Sequence, residues 1–289
     1  MKNFYYLLLA FSLILPYSCN KNGGMEGNIK MADPATKDVA AVVTFSGEKT
    51  PSLLVKDTPV DIKKIEFTEA SRYIMTYAPT ASKAITNEEV SVGSFTYQNG
   101  VYNLSGVGSV KTNGNSVTFT PVSGEAQTVT ATVTTSQAAS DYHFNASRTW
   151  KVNSVIVGLV GGSYNLQRKF SGCDLEEISV YAKKNGVPFS EENMNSFKGL
   201  KVDEVIFTAS DTFVISFVNG VCYRGTFKIT SNMDFSYNLV EGNDLLNVSA
   251  NGSIAFPADS KCTLVISTSA KHLWNTYTGT IEFDLTEQK

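Results

Sequence analysis

From residue 40 onward the chain is written in short runs where apolar and polar side chains alternate, each run broken by Gly, Asn, Asp, Ser or Pro. Alternation at period two puts one set of side chains on one face of a strand. Eight runs are predicted in the first half, at 40–45, 53–55, 64–68, 73–77, 91–97, 101–107, 116–121 and 128–133. A polar stretch, 134–147, precedes a second series at 149–158, 201–207, 213–218, 221–229, 234–239, 245–250, 253–256, 262–267 and 276–285. Short strands at such close spacing predict an all-β chain of two tandem antiparallel domains, each a barrel or a sandwich.

Turn chemistry sharpens the reading. Asn-Gly occurs at 99–100, 113–114, 219–220 and 251–252, each between β runs, and both residues tolerate the positive φ of tight hairpins. A two-residue loop at Asn99-Gly100 pairs Tyr97 with Tyr102 and Phe95 with Leu104, keeping apolar side chains on one face. At Asn219-Gly220 that choice would set Ile215 beside Arg224. A three-residue loop with a bulge at Gly220 pairs Phe217 with Val221 and Ile215 with Tyr223, and preserves the apolar face.

The two series resemble each other. Ile65 to Tyr77 aligns without gaps on Val205 to Phe217. Further on, Gln98-Asn-Gly-Val101 matches Val218-Asn-Gly-Val221, and Val117-Thr-Phe-Thr120 resembles Met233-Asp-Phe-Ser236. These matches imply an internal duplication with about twenty extra residues between Ala78 and Tyr97 of the first copy. One segment breaks the β pattern. Residues 174–184 set Leu175, Ile178 and Ala182 on one helical face and stop at Asn185-Gly186. Ser190 could cap a second short helix through Phe197, ended by Gly199.

The first residues stand apart from all this. Lys2 is followed by an apolar run from Phe4 to Leu15 and then by Pro16-Tyr17-Ser18-Cys19. The run is too short to span a bilayer and reads as a secretory signal. Pro16 and Tyr17 make ordinary cleavage after Ser18 a poor fit. The segment resembles a relaxed bacterial lipoprotein signal of Bacteroidetes type, in which Cys19 is acylated and becomes the mature N-terminus. Asn20-Lys21-Asn22-Gly23-Gly24 lacks the acidic residues that surface-exported lipoproteins of this kind carry. The expected location is therefore the bacterial cell envelope, lipid-anchored at the outer membrane and on its periplasmic side. The expected layout is a signal at 1–18, a flexible tether at 19–38, a first β domain at 39–134, a linker at 135–147 and a second β domain at 148–289.

Composition narrows the function classes. The hydrophobic share of 42% and the charged share of 18% are those of a folded chain. The net charge of −3 and the lack of any basic block give nucleic-acid binding no support. Two histidines, His143 and His272, and the cysteines show no metal-ligand spacing. His143 reads as a solvated linker residue. No nucleophile elbow or phosphate loop is present. The pairs Glu88-Glu89, Glu176-Glu177 and Glu191-Glu192 are sequence neighbours that read as solvated surface. No cofactor and no enzymatic activity are expected. Beyond Cys19 the chain has Cys173, Cys222 and Cys262, which in an oxidising compartment suggests one disulfide and one leftover thiol.

Thr149-Trp150-Lys151-Val152, Cys173, the aromatic hairpin from Phe207 to Phe213, and Cys222 follow one another in the second series. In this order they resemble the lipocalin-like domains of Bacteroidetes lipoproteins, over roughly residues 147–286. Two departures stand out: Arg148 replaces the family's glycine, and the helical insert separates Cys173 from the hairpin. The resemblance implies an up-and-down barrel and a Cys173–Cys222 disulfide, leaving Cys262 free. It also implies an interior able to take a small apolar ligand, lined by Trp150, Phe207, Phe213, Ile215, Phe217 and Tyr223. The alternative is a structural or adhesive, pilin-like envelope lipoprotein without a small-molecule ligand, in which the same side chains fill an ordinary core. The implied partners are the membrane, through the lipid, and the apolar ligand.

Overall fold

The computed structural model describes residues 41–288 except 46–48, 56, 69–70, 81–87, 136–137, 139, 240–248 and 273–274. The signal, Cys19 and the tether lie outside the described residues. The chain is all-β and forms two barrel-like sheets.

The first sheet holds β1 (Ala41–Thr44), β2 (Ser52–Val55), β3 (Thr58–Phe67), β4 (Arg72–Pro79), β5 (Glu89–Gln98), β6 (Val101–Leu104), β7 (Gly108–Asn113), β8 (Ser116–Pro121), β9 (Gln127–Thr130) and β10 (Thr132–Thr135). Its order is β10-β1-β3-β4-β5-β6-β7-β8-β9. β9 and β10 are two halves of one run, interrupted only at Ala131. The first half pairs with β8 and the second with β1, so this run closes the ring. β2 stands outside the ring on β3. Its outer edge is met by the Gln127 carboxamide, which accepts from the Ser52 N–H and donates to the Ser52 carbonyl, both at 2.9 Å.

The second sheet holds β11 (Thr149–Gly161), β12 (Tyr164–Ser171), β13 (Val202–Phe207), β14 (Thr212–Phe217), β15 (Cys222–Ile229), β16 (Asp234–Leu239), β17 (Ser249–Ala258), β18 (Lys261–His272) and β19 (Asn275–Glu287). β19 returns to pair with β11 from Trp150 to Val160 and closes an up-and-down ring. The other edge of β11 is shared. Thr149–Lys151 pair with β13, and Ser154–Gly161 pair with β12. Between β12 and β13 lie α2 (Leu175–Lys184) and α3 (Glu191–Ser196), as the sequence predicts. Asp174 caps α2 by accepting from the Glu177 N–H, and Ile178 is buried.

Several expectations change. β7 and β12 are strands that the pattern does not reveal. Asn251-Gly252 is no turn: both residues pair inside β17, and a side chain at Gly252 would run into the Val265 carbonyl of β18. Asn113 pairs with Ser116, so that turn is Gly114-Asn115. The other two hairpins have the predicted registers, Tyr97 on Tyr102 and Ile215 on Tyr223. The span expected as a linker contains α1 (Asp141–Ala146), capped by Ser140. Ala146 joins the core of the second barrel.

Duplication is legible in the geometry of one hairpin. β3–β4 and β13–β14 are the second and third strands of their rings. Their pairing shifts register between Ile62 and Lys64 in one and between Val202 and Glu204 in the other. Ser71 and Asp211 hold positive φ at the two turns. Tyr73 lies over Gly93 and Phe213 over Gly225, and neither glycine has room for a Cβ. The register shift, the turn residue and the aromatic ring recur at one offset, 62 to 202, 71 to 211 and 73 to 213, while the glycine on the next strand recurs at a shorter one, 93 to 225. The later matches do not survive. Residues 98–101 join the fourth and fifth strands of the first ring, whereas 218–221 join the third and fourth of the second. Residues 117–120 lie on β8, the seventh strand, and 234–236 on β16, the fifth. Asn-Gly suits any tight hairpin, so it cannot register two copies. The twenty-residue insertion that this match required is not needed.

The equivalent hairpins also pack against each other. Ile74 and its counterpart Val214 share a buried cluster with Val90 and Ile206. Arg72 pairs with the buried Glu204, and Thr212, at the position equivalent to Arg72, donates to the buried Glu66 at 3.1 Å. Ser210 donates to the same carboxylate at 2.6 Å and Lys64 pairs with it at 2.5 Å. Arg224 donates to Thr76 at 2.7 Å. The interface is thus approximately two-fold, as between copies of one subunit. Burying Glu204 is tolerable because Arg72 answers it; removing the carboxylate leaves a partly buried cation without its partner. Glu204→Ala is expected to destabilise by about 2 kcal/mol, read as a Tm drop of several degrees in calorimetry. Glu204→Gln, which keeps a hydrogen-bond acceptor, is expected to lose less.

Candidate functional site

The interior of the second barrel is graded along its axis. At one end the inward rows begin with Trp150, Phe207, Phe227, Phe235, Cys262 and Leu285, all at most 2% exposed. Their rings interlock edge to face: Phe207 meets Phe227 at 4.9 Å and Phe235 at 5.7 Å between centroids. The α1 segment plugs this end. The Trp150 indole N–H donates to the Ala146 carbonyl at 2.8 Å. His143 is buried, with its ring edge on Phe227 at 5.1 Å and its Nε2 3.0 Å from the Thr208 carbonyl. A carbonyl only accepts, so this nitrogen carries a proton. The expectation of a solvated His143 is therefore corrected: it is a structural plug. The side chain of His272 lies outside the described residues.

Toward the other end the same rows open. Strand alternation places Ile215 beyond Phe213, Tyr223 beyond Gly225, Ile266 beyond Leu264, and Phe283 and Ile281 beyond Leu285. These five side chains pack against the core but are only partly buried. The result is an aromatic floor with an aliphatic and aromatic wall that still meets solvent. The helical insert enters where β12 and β13 part and packs on the inward face of β11. Ile178, Tyr181 and Phe189 face Val157, Leu159 and Leu166 around a cavity of about 20 Å³, space for roughly one water.

The six residues predicted to line a pocket divide accordingly. Trp150, Phe207 and Phe213 belong to the floor, Ile215 and Tyr223 to the wall. Phe217 is buried and packs edge-on against Tyr223 at 5.3 Å. Ile266, Ile281, Phe283 and Tyr237 were not foreseen, although alternation in 262–267 and 276–285 carries the first three.

The structure does not bring Cys173 and Cys222 together. Cys173 sits within the core of the second barrel, under the helical insert. Cys222 points outward and packs against the cluster between the barrels. The barrel wall separates the two thiols, and all three cysteines are free. Among the described residues, no group of three or more His, Cys, Asp or Glu side chains is placed to hold a metal ion. The chain matches no protein-family model and no curated protein.

Burial governs the thiols. It pushes Cys173 from an ordinary 9.0 up to about 12, with Asp174 adding to the effect. Burial, then the charge of Glu204, pushes Cys222 up to about 11, against smaller opposing effects of the Val92 backbone and Arg72. Cys262 is pushed up further by burial alone. A folded state that holds its protons more tightly than the unfolded chain loses stability as pH rises. The contribution is whole below the unfolded thiol range near 9 and is lost toward 11–12; Cys173 alone accounts for up to about 4 kcal/mol by pH 12. Urea midpoints are therefore expected to fall from pH 9 upward. At pH 8, a thiol reagent is expected to label Cys173 and Cys262 only after unfolding.

Proposed function

We propose that this protein is a lipid-anchored envelope protein whose second barrel binds a small apolar molecule. The observation that carries the reading is the half-open interior: five inward-facing apolar side chains remain partly exposed above a fully buried aromatic floor. An ordinary core would bury that wall. Apolar surface facing water inside a concave site favours a ligand that covers it, at about 25 cal/mol per Å² removed from water. The scaffold suits the task. A ring of hydrogen-bonded strands holds the wall in place, and α1 seals the far end, so a ligand enters from one side.

The test is direct. Native mass spectrometry or Trp150 fluorescence, in a Trp274→Phe background, is expected to show saturable one-to-one binding of medium-chain apolar probes. Ile281→Lys, which puts a charge in the wall, is expected to weaken binding at least tenfold. Asp284→Asn, on the exposed outer face of the same strand, is expected to leave it unchanged. Failure of every probe to bind would favour the structural envelope role.

Attachment follows from the sequence alone. Acylation at Cys19 would hold the barrels to the outer membrane through the tether. Cys19→Ala is expected to release the protein from the membrane fraction or to leave the signal uncleaved; a native N-terminus at another residue would overturn the assignment.

A further inference from the structure

One polar group stands among the apolar inward rows of the second barrel. Tyr237 lies on β16, in the inward row with Phe235, and is 8% exposed. Its ring is fixed edge-on against Phe213 at 5.5 Å, and that packing depends on the missing Cβ of Gly225. Among the described residues, none makes a hydrogen bond to the Tyr237 hydroxyl, which is not among the buried unpaired polar atoms and so still meets solvent. Burial pushes this phenol up to about 12, so at neutral pH it carries its proton and can donate.

The surroundings define what it can receive. The inward rows of β14 to β19 are Phe213, Ile215, Phe217; Tyr223, Gly225, Phe227; Phe235, Tyr237; Gly252, Ile254; Leu264, Ile266; and Ile281, Phe283, Leu285. No side chain in these rows carries a charge. A carboxylate brought among them would lose its hydration with no cation to answer it. An uncharged oxygen would lose little and gain one hydrogen bond in a medium of low polarity.

We infer that Tyr237 is the specificity-determining residue of the cup, and that the ligand is an uncharged apolar molecule bearing one carbonyl or hydroxyl oxygen. The hydroxyl of Tyr237 donates to that oxygen, and the apolar remainder lies against Ile215, Ile266, Ile281 and Phe283. This rests on the reading of the second barrel as an apolar binding site. It goes further in naming a polar group that orients the ligand and rejects plain hydrocarbon. A site built around a hydrogen bond discriminates against an analogue that lacks the partner.

The experiment titrates the mature full chain and its Tyr237→Phe variant with methyl heptyl ketone, n-nonane and nonanoate, at neutral pH, by native mass spectrometry. The wild-type protein is expected to prefer the ketone over the alkane about tenfold. In Tyr237→Phe that ratio is expected to fall to about one, with alkane affinity kept. The Tm of the variant is expected to stay level, because the lost hydroxyl bonds none of the described residues. Equal wild-type affinity for ketone and alkane, or a preference that survives in the variant, overturns the inference and leaves the binding site standing. Tighter binding of nonanoate than of the ketone overturns the uncharged-ligand assignment. A marked fall in Tm shows a structural partner for the hydroxyl and overturns the role. Binding of none of the three probes overturns the site itself and the inference with it.

Discussion

The ladder between β11 and β19 is the contact on which the second domain depends. It joins the first strand to the last, about 130 residues apart in sequence, and converts an open sheet into a ring. Without it, both strands would present unpaired edges, and the inward rows would form one face of an open sheet. With it, Trp150, Val152, Val155 and Val157 become the inside of a barrel. β11 can close the ring and still hold β12 because it is long: its other edge serves β13 for three residues and β12 for eight. The parting of β12 and β13 creates the gap that the helices fill. The insert is thus a consequence of how the ring closes.

The first barrel solves the same problem with shorter parts. Its closing run bends at Ala131 and gives one half to each neighbour. That barrel meets the second through the hairpin that recurs in both, and the recurrence extends to the register shift, the turn conformation and the aromatic ring over glycine. A pairwise contact between two equivalent surfaces is what a dimer of a single domain would have. Glu66 and Glu204 sit in this contact, each at most 2% exposed. They are tolerable there because hydroxyls, Lys64 and Arg72 answer them. Buried carboxylates so answered favour this geometry over slipped ones, in which they would stand alone.

The barrel interior and the interface use opposite faces of the same strands. On β14, Phe213 and Ile215 line the cup, while Thr212 and Val214 face the first barrel. On β15, Tyr223 faces inward and Cys222 outward. This two-sidedness explains why the cysteines stand apart. Neighbours across a hairpin share a face, but Cys173 approaches from within the ring and Cys222 leaves it.

The sequence by itself determined what depends on local order. Period-two alternation set most of the strands, the need to keep apolar side chains together set the registers at Asn99-Gly100 and Asn219-Gly220, and helical spacing with a stop at Asn185-Gly186 set α2. Trp150, Phe207 and Phe213 were expected in the interior from the resemblance to lipocalin-like domains. Tertiary structure alone decided what depends on partners distant in the chain. Gly252 reads as a turn until β18 lies against it. His143 reads as solvated until Thr208 and Phe227 enclose it. Tyr237 reads as one more core aromatic until its ring is held against Phe213 and its hydroxyl is left without a bond to any described residue. The pattern of a chain specifies which face a side chain takes, and ring closure specifies what stands opposite that face.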